Sequence, residues 1–252
     1  MTVRFITDYP AAFIPEIKTL VVAELHLGIE YDLYKSGIYI EAQRKTFLKT
    51  IDKLVKMTKA KKIILLGDVK HKVPGSTIRE DREIPLFLQE LSKTLKVILV
   101  KGNHDDRLEE IIPSGIKMVS SHGIKIGKYG FFHGHAWPSK KLLSCEYLLM
   151  GHIHPALEFV DKFGFRSIEQ VWVKGNLNQE KVKKKFDMKK VGKLNLVILP
   201  VFNKMLGGVP INKIKRQELI GPILSSDLVD LEKSNIYLLD GTYLGNLKNS
   251  MK

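Results

Sequence analysis

Three features of the sequence predict an α/β fold built from two packed sheets. Short apolar runs recur at residues 20–23, 63–66, 97–100 and 147–150, and runs of this kind bounded by breakers read as interior strands. Helical periodicity separates the early runs, and a strand, helix, strand unit is expected to be parallel and right-handed. Past Asp105 the strands become shorter and more frequent, which marks a second, mixed sheet packed on the first.

In order, strands at 3–7 and 11–14 flank the Tyr9-Pro10 turn and lead into the strand at Leu20. Residues 41–59 place Phe47, Leu48, Ile51, Leu54, Val55 and Met57 on one stripe, the pattern of a helix laid on a sheet. A strand over 62–67 delivers Asp68, Pro74-Gly75-Ser76 marks a loop, and a helix over 81–93 returns the chain to the strand at 96–100. The second sheet draws on 117–120, 124–126, 129–133, 147–150, 157–160, 167–173 and 194–202. A hairpin of 235–239 and 242–244 turns at Asp240-Gly241, and 205–216 reads as a long loop. Lys174-Gly175-Asn176 reads as a turn that echoes Lys101-Gly102-Asn103, with Leu177 in place of a histidine. A chain of 252 residues suits one domain, 1–252.

Hydrophobic residues at 44% and charged residues at 27% are ordinary globular values. Lys and Arg total 41 against 27 Asp and Glu, a net charge of +14 that favours polyanions such as DNA. The densest basic run, 181–190, suits a phosphate-attracting face better than a base-stacking platform. Cys145 is the single cysteine, which excludes an internal disulfide and suits a small buried hydrophobe. No apolar run approaches the ~18 residues of a membrane span, and no leader precedes the first strand, so a soluble cytoplasmic protein is expected.

The chemistry gathers at strand ends. Residues 97–100 run into Lys101-Gly102-Asn103-His104-Asp105, and four other apolar runs end in Glu24-Leu25-His26, Gly67-Asp68, His133-Gly134-His135 and Gly151-His152-Ile153-His154. Ligand sites of open α/β sheets lie at such carboxyl ends. Residues i and i+2 of an extended chain share a face, so Glu24 with His26, and His152 with His154, can each present a pair of donors. A lone histidine there is more often a hydrogen-bonded turn residue, and an aspartate after glycine is a common turn choice. Together they imply one metal centre assembled from distant segments.

That order resembles the calcineurin-like metallophosphoesterase superfamily, whose blocks read Asp-x-His, Gly-Asp, Gly-Asn-His-Asp/Glu, His and Gly-His-x-His. Glu24 is the one departure, a glutamate where the blocks have aspartate. Leu25-His26-Leu27-Gly28, Gly67-Asp68-Val69-Lys70-His71 and Leu199-Pro200-Val201-Phe202-Asn203 with Gly207-Gly208 resemble a narrower group. Those are archaeal phosphoesterases related to the exonuclease SbcD and akin to the bacterial ligase-associated phosphoesterases. The resemblance covers nearly the whole chain. It implies a four-layer α/β/β/α sandwich of two mixed sheets with two divalent metal ions at the strand ends. Glu24, His26, Asp68 and His154 would hold one, and Asp68, Asn103, His133 and His152 the other, with Asp68 as the bridge. His104 would lie beside the phosphate without ligating metal, as the catalytic acid or charge stabiliser, and Asp105 would orient it. A helicase or a ligase is a candidate partner on the same ground.

Imidazole, carboxylate and amide oxygen without thiolate suit manganese, with iron and zinc as alternatives. Two such ions can clamp the attacking and leaving oxygens of an in-line displacement. The reading is therefore a phosphodiesterase acting on nucleic acid, nuclease-like and related to DNA repair. Alternatives are a small-molecule or cyclic-nucleotide phosphoesterase, and a non-catalytic scaffold on the same fold. A protein phosphatase fits less well, because Val69-Lys70-His71 stands where that branch has an arginine. Among the neighbours, Lys70 and His71 are candidate phosphate contacts or an ordinary exposed loop, His135 a substrate contact, outlying support or further ligand, His122 a turn residue and Arg107 a surface salt bridge. The extra methylene of Glu24 displaces its carboxylate by about 1.5 Å. Either the strand and metal meet the longer arm, or the carboxylate withdraws.

Overall fold

A computed structural model describes residues 2–215 and 218–250. The first sheet has the order β1 (Arg4–Phe5), β2 (Ala12–Ile14), β3 (Thr19–Val22), β4 (Lys62–Leu66), β5 (Lys96–Val100) and β6 (Lys117–Val119). β1 to β3 are antiparallel and β3 to β6 parallel. The chain passes through α1 (Ile29–Lys35) and α2 (Arg44–Thr58) before β4, and through α3 (Ile78–Ser92) before β5. Val22 pairs with Leu65, and Leu65 with Leu99, so the three strands end at one level.

The second sheet contains β7 (Ile124–Ile126), β8 (Tyr129–Phe131), β9 (Tyr147–Met150), β10 (Pro155–Val160), β11 (Arg166–Asn176), β12 (Asn195–Ile198), β13 (Val209–Pro210), β14 (Asn235–Leu238) and β15 (Tyr243–Asn246). Its order is β13-β10-β11-β12-β9-β8-β7, with β14 on β11 and β15 on β14. β8 and β9 are parallel, Phe131 beside Leu149, which brings their carboxyl ends together. α4 (Gln179–Phe186) and the short α5 (Pro222–Ser225) cover this sheet.

Alternation along each strand builds the layers, because successive side chains point to opposite faces. Leu20, Val22, Ile63, Leu65, Val97 and Leu99 pack under α2 and α3, against Phe47, Ile51, Ile84 and Phe87. Val21, Ile64, Leu66, Ile98 and Val100 face the other way and meet Phe131, Leu149, Trp172, Val197 and Leu199 of the second sheet. Leu148, Met150, Val171, Val173, Leu196 and Ile198 then bury the outer face of that sheet with Val182, Ile223 and Leu224. Three apolar layers thus separate helices, sheet, sheet and helices. A Leu→Ala change inside such a layer costs about 2–5 kcal/mol, a large share of a typical ~5–15 kcal/mol domain stability. The strand ends are therefore fixed by packing, independently of what they carry.

Several local expectations change. α3 begins at Ile78, because Thr77 and Glu80 form a capping box, with Thr77 Oγ1 accepting from Glu80 N and the Glu80 carboxylate accepting from Thr77 N. α1 and α4 were not expected as helices. The lysine run opens on the N-cap Asn178 and buries only Val182, so its helix is recognised by cap rather than by stripe. Lys174-Gly175-Asn176 is no turn: it lies inside β11, paired with Val197, Leu196 and Asn195. The expected loop at 205–216 contains β13, paired with Pro155 and Ala156, and Arg216 lies outside the described residues. Among the described residues no helix is long and apolar enough to cross a membrane.

Candidate metal centre

The donors sit just past the strands, where the chain has left extended geometry. Glu24, His26, Asp68, His152 and His154 have φ of 62°, 44°, 51°, 74° and 46°. The expected i, i+2 pairing on extended chain is corrected by this: the paired donors converge through left-handed turns. Each such residue costs on the order of 1–3 kcal/mol and persists only where its surroundings over-determine it. Backbone ties do so here, from Glu24 N to Gly67 O at 3.2 Å, His26 N to Asp68 O at 2.8 Å and Gly151 N to His133 O at 2.9 Å.

Two donor groups that contain a carboxylate result, beside an all-histidine one of His26, His71 and His104. Glu24, His26 and His154 offer atoms within 4.8 Å of one another, and so do Asp68, His133 and His152. Glu24 Oε2 lies 3.1 Å from His26 Nε2 and 2.9 Å from His154 Nε2. Asp68 Oδ2 stands between the groups, 3.7 Å from His26 Nε2 and 3.5 Å from His133 Nε2. The Asn103 amide oxygen is 3.1 Å from His133 Nε2. His133 Nδ1–H donates to Leu66 O at 3.0 Å, which turns Nε2 toward the donors. Glu24 is not withdrawn: its longer arm lets Oε1 accept from His152 N at 2.6 Å while Oε2 stays among the imidazoles. Buried Glu24 and Asp68 find only histidines as ion-pair partners among the described residues. Two carboxylates and four imidazoles without Lys or Arg suit divalent cations.

Glycines set how closely these turns approach. A Cβ on Gly67 would stand 2.1 Å from His133 Nδ1, one on Gly102 2.0 Å from Asp68 Oδ1 and 2.3 Å from Asp68 N, and one on Gly151 2.7 Å from Glu24 Oε1. Gly102 does not have the positive φ of a sharp turn; it is required because the Asp68 backbone lies against it.

Burial raises the Glu24 carboxyl, but His133, His154 and His26 outweigh it and hold it well below the usual range. Burial likewise opposes charge on His133, yet Glu24 and Asp68 raise it to about 9. Burial and then His133 depress His152 to about 4.

The structure reassigns several neighbours. Asp105 does not orient His104. Its fully buried carboxylate accepts from Val69 N at 2.9 Å, Lys70 N at 3.1 Å and Gly102 N at 2.8 Å, clamping two ligand loops. Burial and then Asp68 raise its pKa to about 6. His104 instead donates from Nδ1 to His71 O at 2.5 Å, and its backbone N–H donates to Asp68 Oδ1 at 2.8 Å. Lys70 is no phosphate contact, because its ammonium is buried against Lys72 O, Gly75 O and Asp106. His71 Nδ1 lies 3.3 Å from His26 Nδ1 and its Nε2 3.4 Å from Asp32. The His135 ring lies tilted against His133 and edge-on to His152, with a buried Nδ1 that has no hydrogen-bond partner among the described residues. His122 Nδ1 donates to Trp137 O, and Arg107 pairs bidentately with Glu110. The residue reading missed Asn203, whose buried amide donates to Leu25 O at 2.8 Å and braces the first ligand turn. Only its place in the Leu199–Asn203 match signalled it.

Histidines and carboxylates at the ends of strands from two packed sheets thus form a candidate metal centre. The chain belongs to the calcineurin-like phosphoesterases, whose family profile matches residues 17–199. Among solved structures it is similar to the nuclease MPE of Pseudomonas putida, with 20% identity over 94% of this chain and 91% of that one and a TM-score of 0.54. It also aligns with Yfce, a phosphoesterase from E. coli, with 12% identity over 90% and 96% and a TM-score of 0.42. No curated protein matches the chain.

Gly102→Ala should lower both metal content and thermal midpoint, since the added carbon meets Asp68 backbone that no rotamer change can move; metal analysis of the folded variant checks this. Metal loading must also displace the proton of His133. Affinity for Mn²⁺ should therefore rise with pH up to about 9 and level off above it, as followed by titration calorimetry. In chelator the sign reverses: charged His133 stabilises the metal-free fold fully below its ordinary 6.5 and that contribution is lost as pH rises through about 9. An affinity flat across this window would remove His133 from the donor set.

Proposed function

We propose that the chain is a two-metal phosphodiesterase acting on nucleic acid, with Glu24, His26, Asp68 and His154 holding one ion and Asp68, Asn103, His133 and His152 the other. The observation that carries it is the place of Asp68, with one oxygen between two histidine-rich donor groups and the other fixing the backbone of His104. Divalent ions held there, manganese first and iron or zinc otherwise, would supply the Lewis acid that polarises a phosphoryl oxygen and activates water. The chain's own residues do the rest. The His71 carbonyl fixes the proton of His104 on Nδ1, leaving Nε2 to steady phosphoryl charge or, once protonated, to release a proton to the leaving oxygen.

The net charge of +14 favours a polyanionic substrate, and a nuclease shares the fold. Membership of the SbcD-related group, a DNA-repair setting in the cytoplasm and a helicase or ligase partner extend the same reading. A small nucleotide substrate would need the same centre without the basic surface.

His104→Ala should cut turnover on an aryl phosphodiester by about 10²–10⁴-fold with metal content unchanged, whereas Glu24→Gln should lower metal content. Metal loss in the His104 variant would make it a ligand and overturn its assigned role. Association with DNA should weaken steeply with salt, through counterion release. Affinity indifferent to ionic strength, or absent at low salt, would take nucleic acid off the substrate list.

A further inference from the structure

Exposed aromatic side chains gather on one flank of the centre. Tyr34 in α1 is 61% exposed, Tyr39 in the following segment 78%, and Ile78 at the start of α3 91%. With Lys35, Arg79 and Arg82 they line an open groove of about 860 Å³, and no carboxylate is among its lining residues. Apolar and aromatic surface left open in this way marks a binding face.

The charges are only partly spent within the protein. Arg82 pairs with Glu83 at 3.1 Å and Lys35 approaches Asp32 at 3.9 Å, both at exposed positions. The Arg79 side chain makes no hydrogen bond or ion pair among the described residues. A free guanidinium beside open tyrosine faces suits a partner that alternates flat rings with negative charge.

Both walls of the groove are bonded to the same residue of the centre. From α1, Asp32 reaches His71 Nε2 at 3.4 Å. From α3, Glu80 Oε1 accepts from His71 N at 3.0 Å and Lys72 N at 2.7 Å. The His71 ring stands 5.4 Å from that of His26 and 5.9 Å from that of His104. The helices that wall the groove are thus tied to the centre through His71.

We infer that this groove binds a single-stranded stretch of nucleic acid, with bases stacking on Tyr34 and Tyr39 and phosphates meeting Arg79 and Lys35, and so leads the strand past His71 to the metal centre. The inference rests on the phosphodiesterase reading for what happens at the centre, though the binding it describes does not need catalysis. Duplex DNA keeps its base faces stacked inward and offers the tyrosines nothing. Stacking on an aromatic is sequence-tolerant, because every base has a π-face.

The test separates binding from chemistry. A fluorescein-labelled oligothymidylate of about twelve nucleotides is titrated, by anisotropy, into metal-free parent protein and the Tyr34→Ala/Tyr39→Ala variant, and hydrolysis of an aryl phosphodiester with Mn²⁺ is measured beside it. We expect binding to weaken by about tenfold or more, to return in Tyr34→Phe/Tyr39→Phe, and to weaken for Arg79→Ala, while aryl phosphodiester turnover stays at the parent rate. Equal binding by parent and alanine variant, or no binding by the parent, overturns the groove. A matched loss on blunt duplex overturns the stacking assignment. If the tyrosines govern binding but no aryl phosphodiester is cleaved, the groove stands and the catalytic reading falls.

Discussion

The centre depends on how closely the turns at the ends of five strands can approach one another's donors. Gly67 leaves room for the His133 ring, Gly102 for Asp68 and Gly151 for Glu24, each at a distance no Cβ could occupy. Every ligand segment thus abuts another, and removing one hydrogen-sized gap moves a donor belonging to a different strand. Metal sites hold donor distances to within about 0.2 Å, so this mutual contact, more than any single side chain, sets what the donors can bind.

Buried charge around the donors serves the loops that carry them. Asp105 ties backbone N–H groups on both sides of the second and third blocks. Lys70 and Asp106 join at 2.8 Å inside the loop that follows Asp68, and Glu80 collects the N–H groups of His71 and Lys72. A pair with one member this deep adds little net stability, but losing Asp106 would leave the buried Lys70 ammonium with two backbone carbonyls and no counter-charge. The effect of these contacts is to fix where His71 presents its carbonyl to His104.

Much of this was legible in the sequence. The apolar runs at Leu20, Ile63, Val97 and Leu148 gave strands because they bury both faces, and their polar terminations marked the donors. Residue periodicity could not show that Asp105 and Lys70 are structural: acid and base next to a histidine look the same whether they face substrate or backbone, and only the partners at 2.8–3.1 Å decide. Gly175 resembled a turn because its tripeptide matched Lys101-Gly102-Asn103, yet pairing with β12 holds it extended, and Ser234 Oγ fills the space of its missing Cβ. The Thr77-x-x-Glu80 cap was readable and would have placed the start of α3. The flank bearing Tyr34 and Tyr39 has no periodic signature, since exposed aromatics off a core stripe look like ordinary surface.

The bonds from Glu24 to His152 and His154 join residues 128 and 130 positions apart. Contacts of that span close only after the intervening chain has been ordered, because loop-closure entropy precedes their reward. The donor set is therefore complete only when both sheets are in place: the first presents Glu24, His26, Asp68 and Asn103, and the second supplies His133, His152 and His154. Ions that need both halves favour the finished fold over every partly built one, and their stabilisation grows with the logarithm of free metal. Metal supply would then act on how long the folded chain survives, as well as on how fast it turns over.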